Sequence, residues 1–348
     1  MAGVVDKEGR PEPSVAEIAG AVLRVAVLLG AGAVPHDAWR HLAESGDASA
    51  ERISDRAGRG VPVAEAIGAE VVTRRRFPGA RRRSERDRAA AWRDVAAAWE
   101  IASTVGAPLA DALRGMAHAL RDAQETLDDV RVAMAEPTHT ARLMSVLPLL
   151  GVVIAMGLGF DVIGVLLSPG AGLACLIAGI AMILGGRLWT AGLIRSARPA
   201  PGTPGLVAEL TAIALGGGVS LDRARALVAL SRGDDEPRGR GGAGARRRLR
   251  AAGRRAASRR PSAVEIDDEV ERVLELSRRA GVPAIDLLRA TAAQQRLQAR
   301  TEGRVRAARL GTRLLLPLGA CTLPAFLCLG VVPMLLAVLG TTSLPGLL

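Results

Sequence analysis

From residue 314 to 339 the chain runs 26 positions without a single charged side chain. As a helix rising about 1.5 Å per residue, that run would extend about 39 Å. The hydrocarbon core of a bilayer takes only about 20 such residues. A second apolar region, 143–193, is too long for one span and is interrupted by Asp161 and by Ser168-Pro169-Gly170. It divides into runs of 143–160 and 171–189, so the chain is expected to be an integral membrane protein with a hairpin and a third span over 314–340. Pro317, Pro324 and Pro333 fall in that third span. In water they would argue against a helix. Inside a membrane, neighbouring helices and local adjustments can satisfy the freed backbone groups, and a kinked or tilted helix is expected rather than a re-entrant one.

Charge orients these spans. Residues 1–142 carry 20 Lys/Arg against 21 Asp/Glu, whereas residues 190–313 carry 25 Arg against 13 Asp/Glu. Outside those two regions the only Lys or Arg is Arg187. Positive charge near span ends favours the cytoplasmic side, which puts the N-terminal region and the central loop inside, with the hairpin turn and the tail from 341 outside. Arg142, Arg187, Trp189, Arg195 and Arg313 are expected to anchor the spans at the interfaces, Arg187 by snorkelling from the last turn of the second span. Residues 1–15 are polar and do not read as a secretory signal.

The remaining segments repeat each other. Gly32, Val34, Asp37, Arg40 and Leu42 recur 185 residues later as Gly217, Val219, Asp222, Arg225 and Leu227. Glu100, Gly106, Pro108, Leu113 and Arg114 recur 175 residues later as Glu275, Gly281, Pro283, Leu288 and Arg289. Each copy then runs through a long polar helix into an apolar span. Apolar spacing of three to four predicts helices at 15–29, 94–105, 109–135 and 283–309, with Gly106 as a stop and Pro108 at the next first turn. No alternating strand pattern occurs. The fold is expected to be all-α, with two helical domains, 1–142 and 194–313, on the cytoplasmic side.

Two arginine-rich stretches break the pattern. Residues 73–93 hold nine arginines around Phe77-Pro78-Gly79, and residues 231–262 are almost free of large apolar side chains. The first is expected to be a solvated linker and the second a disordered one, both facing an anionic lipid surface. Nucleic-acid binding would call for aromatic side chains or a recognition fold beside the charge, so no nucleic-acid partner is expected.

Catalytic chemistry finds little to work with. Lys7 is the only lysine, which excludes a phosphate-binding loop and a buried Schiff-base lysine. Cys175, Cys321 and Cys328 lie in apolar runs as small packing residues. His36, His41, His118 and His139 are scattered, and His36 and His41 are badly spaced for a metal on one helix. No enzyme activity, cofactor or metal is expected.

The block 97–114, with Trp99, Glu100, Gly106, Pro108, Leu113 and Arg114, is followed by Leu120-Arg121-Asp122, Ala135-Glu136-Pro137 and Leu147-Pro148-Leu149. This order resembles a type II secretion system F domain. The second copy gives Gly281, Pro283, Asp286-Leu287-Leu288-Arg289 and Leu316-Pro317-Leu318, then Cys321-Thr322-Leu323-Pro324-Ala325-Phe326 and Gly330-Val331-Val332-Pro333-Met334. That ending is similar to the C-terminal span of the TadB and TadC membrane proteins of tight-adherence (Flp) pilus systems, as though both halves were joined in one chain. The resemblance implies a plasma-membrane platform whose cytoplasmic helices couple a separate secretion ATPase to the extrusion of pilin-like proteins. It also implies that the chain associates with itself or with another F-type chain. The surface expected to meet the ATPase lies around Gly106–Pro108 and Gly281–Pro283 and the helices after them, with Leu113, Arg114, Leu288 and Arg289. Two other classes compete with this reading, a transporter or channel subunit and a membrane-tethered nucleic-acid binder. The first would need polar residues along a pathway, and only Asp161 and Arg187 qualify.

Overall fold

A computed structural model describes residues 13–71, 80–133, 153–154, 156–157, 162–168, 170–197, 202–232, 263–333 and 335. Among them every regular element is helical and none is a strand. The chain divides into two compact units, Met1–Thr126 with Ala200–Arg300, and Leu127–Pro199 with Thr301–Leu348.

The first unit opens with α1 (Val15–Gly30), started by a reciprocal cap. The Glu17 N–H donates to Ser14 Oγ at 3.2 Å, and the Ser14 N–H donates to the Glu17 carboxylate at 2.5 Å. This satisfies two amides that the helix cannot pair internally. Ile18, Val22 and Val25 recur at helical spacing and are buried. After Gly32 come α2 (Pro35–Glu44), α3 (Ala48–Gly58), α4 (Val63–Gly68) and one 3-10 turn, Ala69–Val71. Trp39 on α2 is wholly buried, with ring centroids 6.5 Å from Trp92 and 6.0 Å from Trp99. The tilted geometry of these rings suits their quadrupoles. Both partners stand on α5 (Ala80–Val105), which is followed by α6 (Leu109–Ala133).

The length of α5 corrects the sequence reading of 73–93 as a solvated linker. From Ala80 onward that stretch is helix, and Ala89, Ala90, Ala91 and Trp92 are buried. Arginine is a good helix former. Here Arg86 and Arg93 stand on the outer face while the alanines and the tryptophan take the inner one. Residues 72–79, including Phe77-Pro78-Gly79, lie outside the described residues. So do 233–262, which hold nearly all of the second arginine-rich stretch.

The second copy supplies α9 (Leu206–Gly216), α10 (Leu221–Arg232), α11 (Ala263–Ala280) and α12 (Ala284–Pro317). Its apolar side chains do not form a core of their own. Leu210, Ile213, Val270, Leu274 and Leu288 belong to the same buried cluster as Ile18, Trp39 and Leu113. A helix buried on every side, as α9 is over residues 207–214, has no polar face to offer water. It reaches that state by packing along α5. There the carboxylate of Asp94 accepts from the Thr203 N–H at 3.2 Å and from its hydroxyl at 2.7 Å. At the other end Gly217 comes so close to Val105 that an added Cβ would lie 2.3 Å from a valine methyl.

The structure also shifts the repeat by one residue at its first motif. The helix ends Gly30 and Gly216, the helix starts Pro35 and Leu221, and the left-handed glycines Gly32 and Gly218 are all 186 residues apart. The identities at 185 are therefore not in structural register. At the second motif 175 holds, since Val105 and Ala280 end helices and Gly106 and Gly281 both take positive φ, +73° and +65°.

The second unit contains α7 (Val162–Leu167), α8 (Ala171–Ala197) and the chain from Thr301. The break expected around Asp161–Gly170 is narrower than the sequence suggested, because Val162–Leu167 is apolar enough to form α7. Helix α8 runs to Ala197, so Arg187 stands well inside it rather than in its last turn. The C-terminal path stays helical as far as Pro333. Its hydrogen bonding shifts to π type over Leu318–Thr322 and Leu327–Val331, with α13 (Leu323–Phe326) between. Pro317 and Pro324 each delete an amide, and π turns are a known accommodation in apolar helices. Two described helices are long and apolar enough to cross a membrane, Gly172–Ser196 and Ala284–Val331. The first expected span, 143–160, lies largely outside the described residues.

Candidate functional site

The two long helices that follow the Gly-Pro turns are paired at equivalent positions. Glu125 on α6 meets Arg300 on α12 at 3.0 Å, and Asp129 meets Arg304 at 2.9 Å. Each partner is the other's counterpart 175 residues away, so the two copies face each other with acid on one side and base on the other. Between them lies a more buried group. Arg296 Nη1 is 3.4 Å from Glu209 Oε2, and Arg296 Nε is 2.9 Å from Asp122 Oδ2. The second approach lacks hydrogen-bond geometry at Nε and is an ion pair only. The Glu209 side chain is 6% exposed. It reaches this place because residue 115 is glycine, where a Cβ would sit 2.6 Å from the Glu209 carboxylate.

The residues expected at an ATPase-facing surface separate into two kinds. Gly106, Pro108, Gly281 and Pro283 are exposed at turns, the two glycines in the left-handed conformation that they adopt without strain. Arg114 lies partly exposed on α6, paired with Asp111, and Arg289 is exposed on α12. Leu113 and Leu288 are fully buried in the shared core. Their recurrence is a packing requirement, and a docking partner would not reach them. Beside the second turn, the Arg279 guanidinium donates to Glu275 and, with Arg278, holds its carboxyl below the ordinary carboxylate value.

In the second unit, α8 lies antiparallel to the C-terminal helical path. A Cβ at Gly179 would lie 2.5 Å from Leu329 Cγ, and one at Gly186 would lie 3.0 Å from Cys321 Cβ. Leu193 and Ile194 pack on Val130, Ala307, Leu310 and Leu314. Small residues let apolar helices approach closely where water does not drive them together. The outer side of α8 is bare, with only 11% of its most apolar window buried. Arg187, Trp189, Arg195 and Arg313 are all exposed, and Arg142 lies outside the described residues. Since α8 and the C-terminal path run in opposite directions, Arg195 and Arg313 fall at the same end of the pair.

Sequence reasoning missed Glu209, Arg296 and Gly115. One signal was available, a lone acid in the apolar run Leu206–Gly216. Among the described residues no group of three or more His, Cys, Asp or Glu side chains is gathered as metal ligands would be.

Comparison with curated proteins gives no match. Residues 21–157 do match a family model, described as Type II secretion system (T2SS), protein F. They take in the last ten residues of α1 and all of α2 to α6, and continue into the apolar region. Residues 21–157 thus carry a type II secretion system protein F domain.

Proposed function

We propose that this chain is a plasma-membrane platform of a type II secretion or Flp (Tad) pilus machine, transmitting the work of a cytoplasmic secretion ATPase to pilin-like proteins. The F-domain match carries the reading. A rigid helical unit joined to span-length helices is the architecture such a transmitter needs. The N-terminal region and the central loop both contribute to the first unit, and a shared core requires them on one side of a membrane. An even number of crossings must then separate Thr126 from Ala200. Helix α8 provides one, and the apolar run 143–160 is the sequence's candidate for the other. With the arginine bias, this favours a cytoplasmic first unit and a multi-pass chain with three spans. The second copy, with the same turn geometry at Gly281 as at Gly106, supports reading the chain as two F-type halves joined.

The test is photo-crosslinking from Arg114 and Arg289 positions in membranes that contain a co-expressed secretion ATPase. Adducts with the ATPase are expected from both. Arg289→Glu should reduce pilus assembly while the chain remains inserted. Gly281→Leu is a poorer probe, since its positive φ makes any side chain strained. Crosslinks that never include the ATPase would overturn the reading.

A further inference from the structure

Arg187 stands too deep in α8 to be the last-turn anchor that its sequence position suggested. The helix ends at Ala197, ten residues and about 15 Å beyond it. The Cα–Cβ bonds of a helix tilt toward its N-terminus, so Arg187 leans away from that end. It is exposed, and no ion pair or hydrogen bond engages its side chain among the described residues. Arg195 follows eight residues on, with Ala191 midway, and positions four apart share a helix face. All three are exposed. Arg195 Nε donates to the Ala191 carbonyl oxygen at 3.1 Å, which folds that side chain back one turn. Arg195 is thereby drawn toward Arg187 across Ala191, whose methyl group leaves the space between them open.

No acid is left over to balance these two cations. Among the described residues of the second unit the carboxylates are Asp128, Asp129 and Glu302, and each is already paired, with Arg131, Arg304 and Arg306. Toward the start of α8 the same face continues as Leu184, Ile180 and Ile177, which are 54%, 46% and 61% exposed. Gly179 and Gly186, which meet the C-terminal path, lie on another side. The bare face therefore carries positive charge at one end and hydrocarbon along the rest. That profile is the complement of a phospholipid standing in one leaflet. Guanidinium forks take phosphate oxygens in pairs, so two forks suit one phosphate better than the single carboxylate of a partner helix. We infer that this face of α8 holds an anionic phospholipid, its phosphate bridging Arg187 and Arg195 and an acyl chain lying along Leu184 and Ile180. The inference rests on α8 being a membrane span and not on the secretion role.

The experiment places the full chain in mixed vesicles of phosphatidylglycerol and phosphatidylcholine, with one lipid or the other brominated on its acyl chains. Ile180→Trp serves as the fluorescent reporter, and Trp189→Phe silences the native indole of α8. The same chain without Ile180→Trp supplies the background from Trp39, Trp92 and Trp99, which are buried. Brominated phosphatidylglycerol should quench the reporter in preference to brominated phosphatidylcholine, by about fivefold for each arginine that meets the headgroup. Arg187→Gln should lower that preference by about fivefold, and so should Arg195→Gln. Arg309→Gln, which removes an exposed charge from the neighbouring α12, should leave it unchanged. Leu184→Trp takes over as reporter if Ile180→Trp does not insert. Equal quenching by the two lipids would overturn the inference. An equal loss in Arg309→Gln would do the same, by showing only a diffuse positive field. So would a preference abolished by inorganic phosphate at constant ionic strength, which would make the ligand a free anion. Quenching by neither lipid, in a chain that floats with the vesicles, would assign the face to protein instead. Failure to float would remove the span as well.

Discussion

Glu209 and Arg296 are 87 residues apart in the chain and meet where little water reaches. Removing one partner of such a pair leaves an uncompensated charge, which costs about 3–5 kcal/mol. Arg296→Ala should therefore lower the stability of the purified protein by about that much in denaturant titration. Replacing both by leucine should recover most of the loss, because a well-packed apolar pair also avoids the desolvation cost. Recovery absent from the double variant would mean that Asp122, not Glu209, is the main partner of Arg296. Asp94→Ala removes the acceptor for the Thr203 amide and hydroxyl and should cost about 1–3 kcal/mol in the same assay. The exposed Glu275 is a weaker contributor with a definite sign. Its arginine partners depress its carboxyl, so its contribution is full above the ordinary carboxylate range and fades as pH falls through the lowered value. Of these residues the sequence reading named only Glu275, as a repeat identity. Glu209 was passed over although it is a lone acid in an apolar run, and Arg296 gave no signal, since helical periodicity says nothing about which of many arginines will be near.

At the scale of elements, two packings make distinct predictions. Helix α8 approaches the C-terminal path at Gly179 and Gly186, whereas a side-chain carbon added at Gly185 or Gly192 would meet nothing within 4 Å. Gly179→Leu should abolish disulfide formation between Ile194→Cys and Leu314→Cys in membranes. Gly185→Leu should leave its yield unchanged, and equal effects of both would show that mere hydropathy governs this helix pair. The α6–α12 pairing is ionic and mostly exposed, so each pair is worth about 0.2–1 kcal/mol. Arg300→Glu with Arg304→Glu should destabilise by about 1–2 kcal/mol, less at high salt. Adding Glu125→Arg and Asp129→Arg should restore stability, with chemical unfolding at two salt concentrations as the readout. Helix existence was legible at this scale, because the apolar spacing and the Gly106 stop are local. The arginine-rich start of α5 was not, since its alanines become a buried face only when something packs on them.

For the whole molecule, the shared core decides how the chain can be divided. Residues 1–126 alone would leave the α5 face of Ile101 and Val105 uncovered and Asp94 without Thr203. Expressed by itself, that fragment should lack a cooperative unfolding transition and be cleaved rapidly in limited proteolysis. Co-expression of residues 200–300 should restore protection. A cooperative transition in the fragment alone would mean that the first copy is an independent domain. Hydropathy and charge set out the span-length segments, the all-helical class and the two-fold repetition unaided, because each depends on residues close together in the chain. Whether the two copies would stand apart or interleave, which register relates them, and which faces are left in water were settled only by tertiary packing. Those outcomes turn on contacts between residues far apart in the chain, where a single glycine at 115 or 217 determines how near two helices can come.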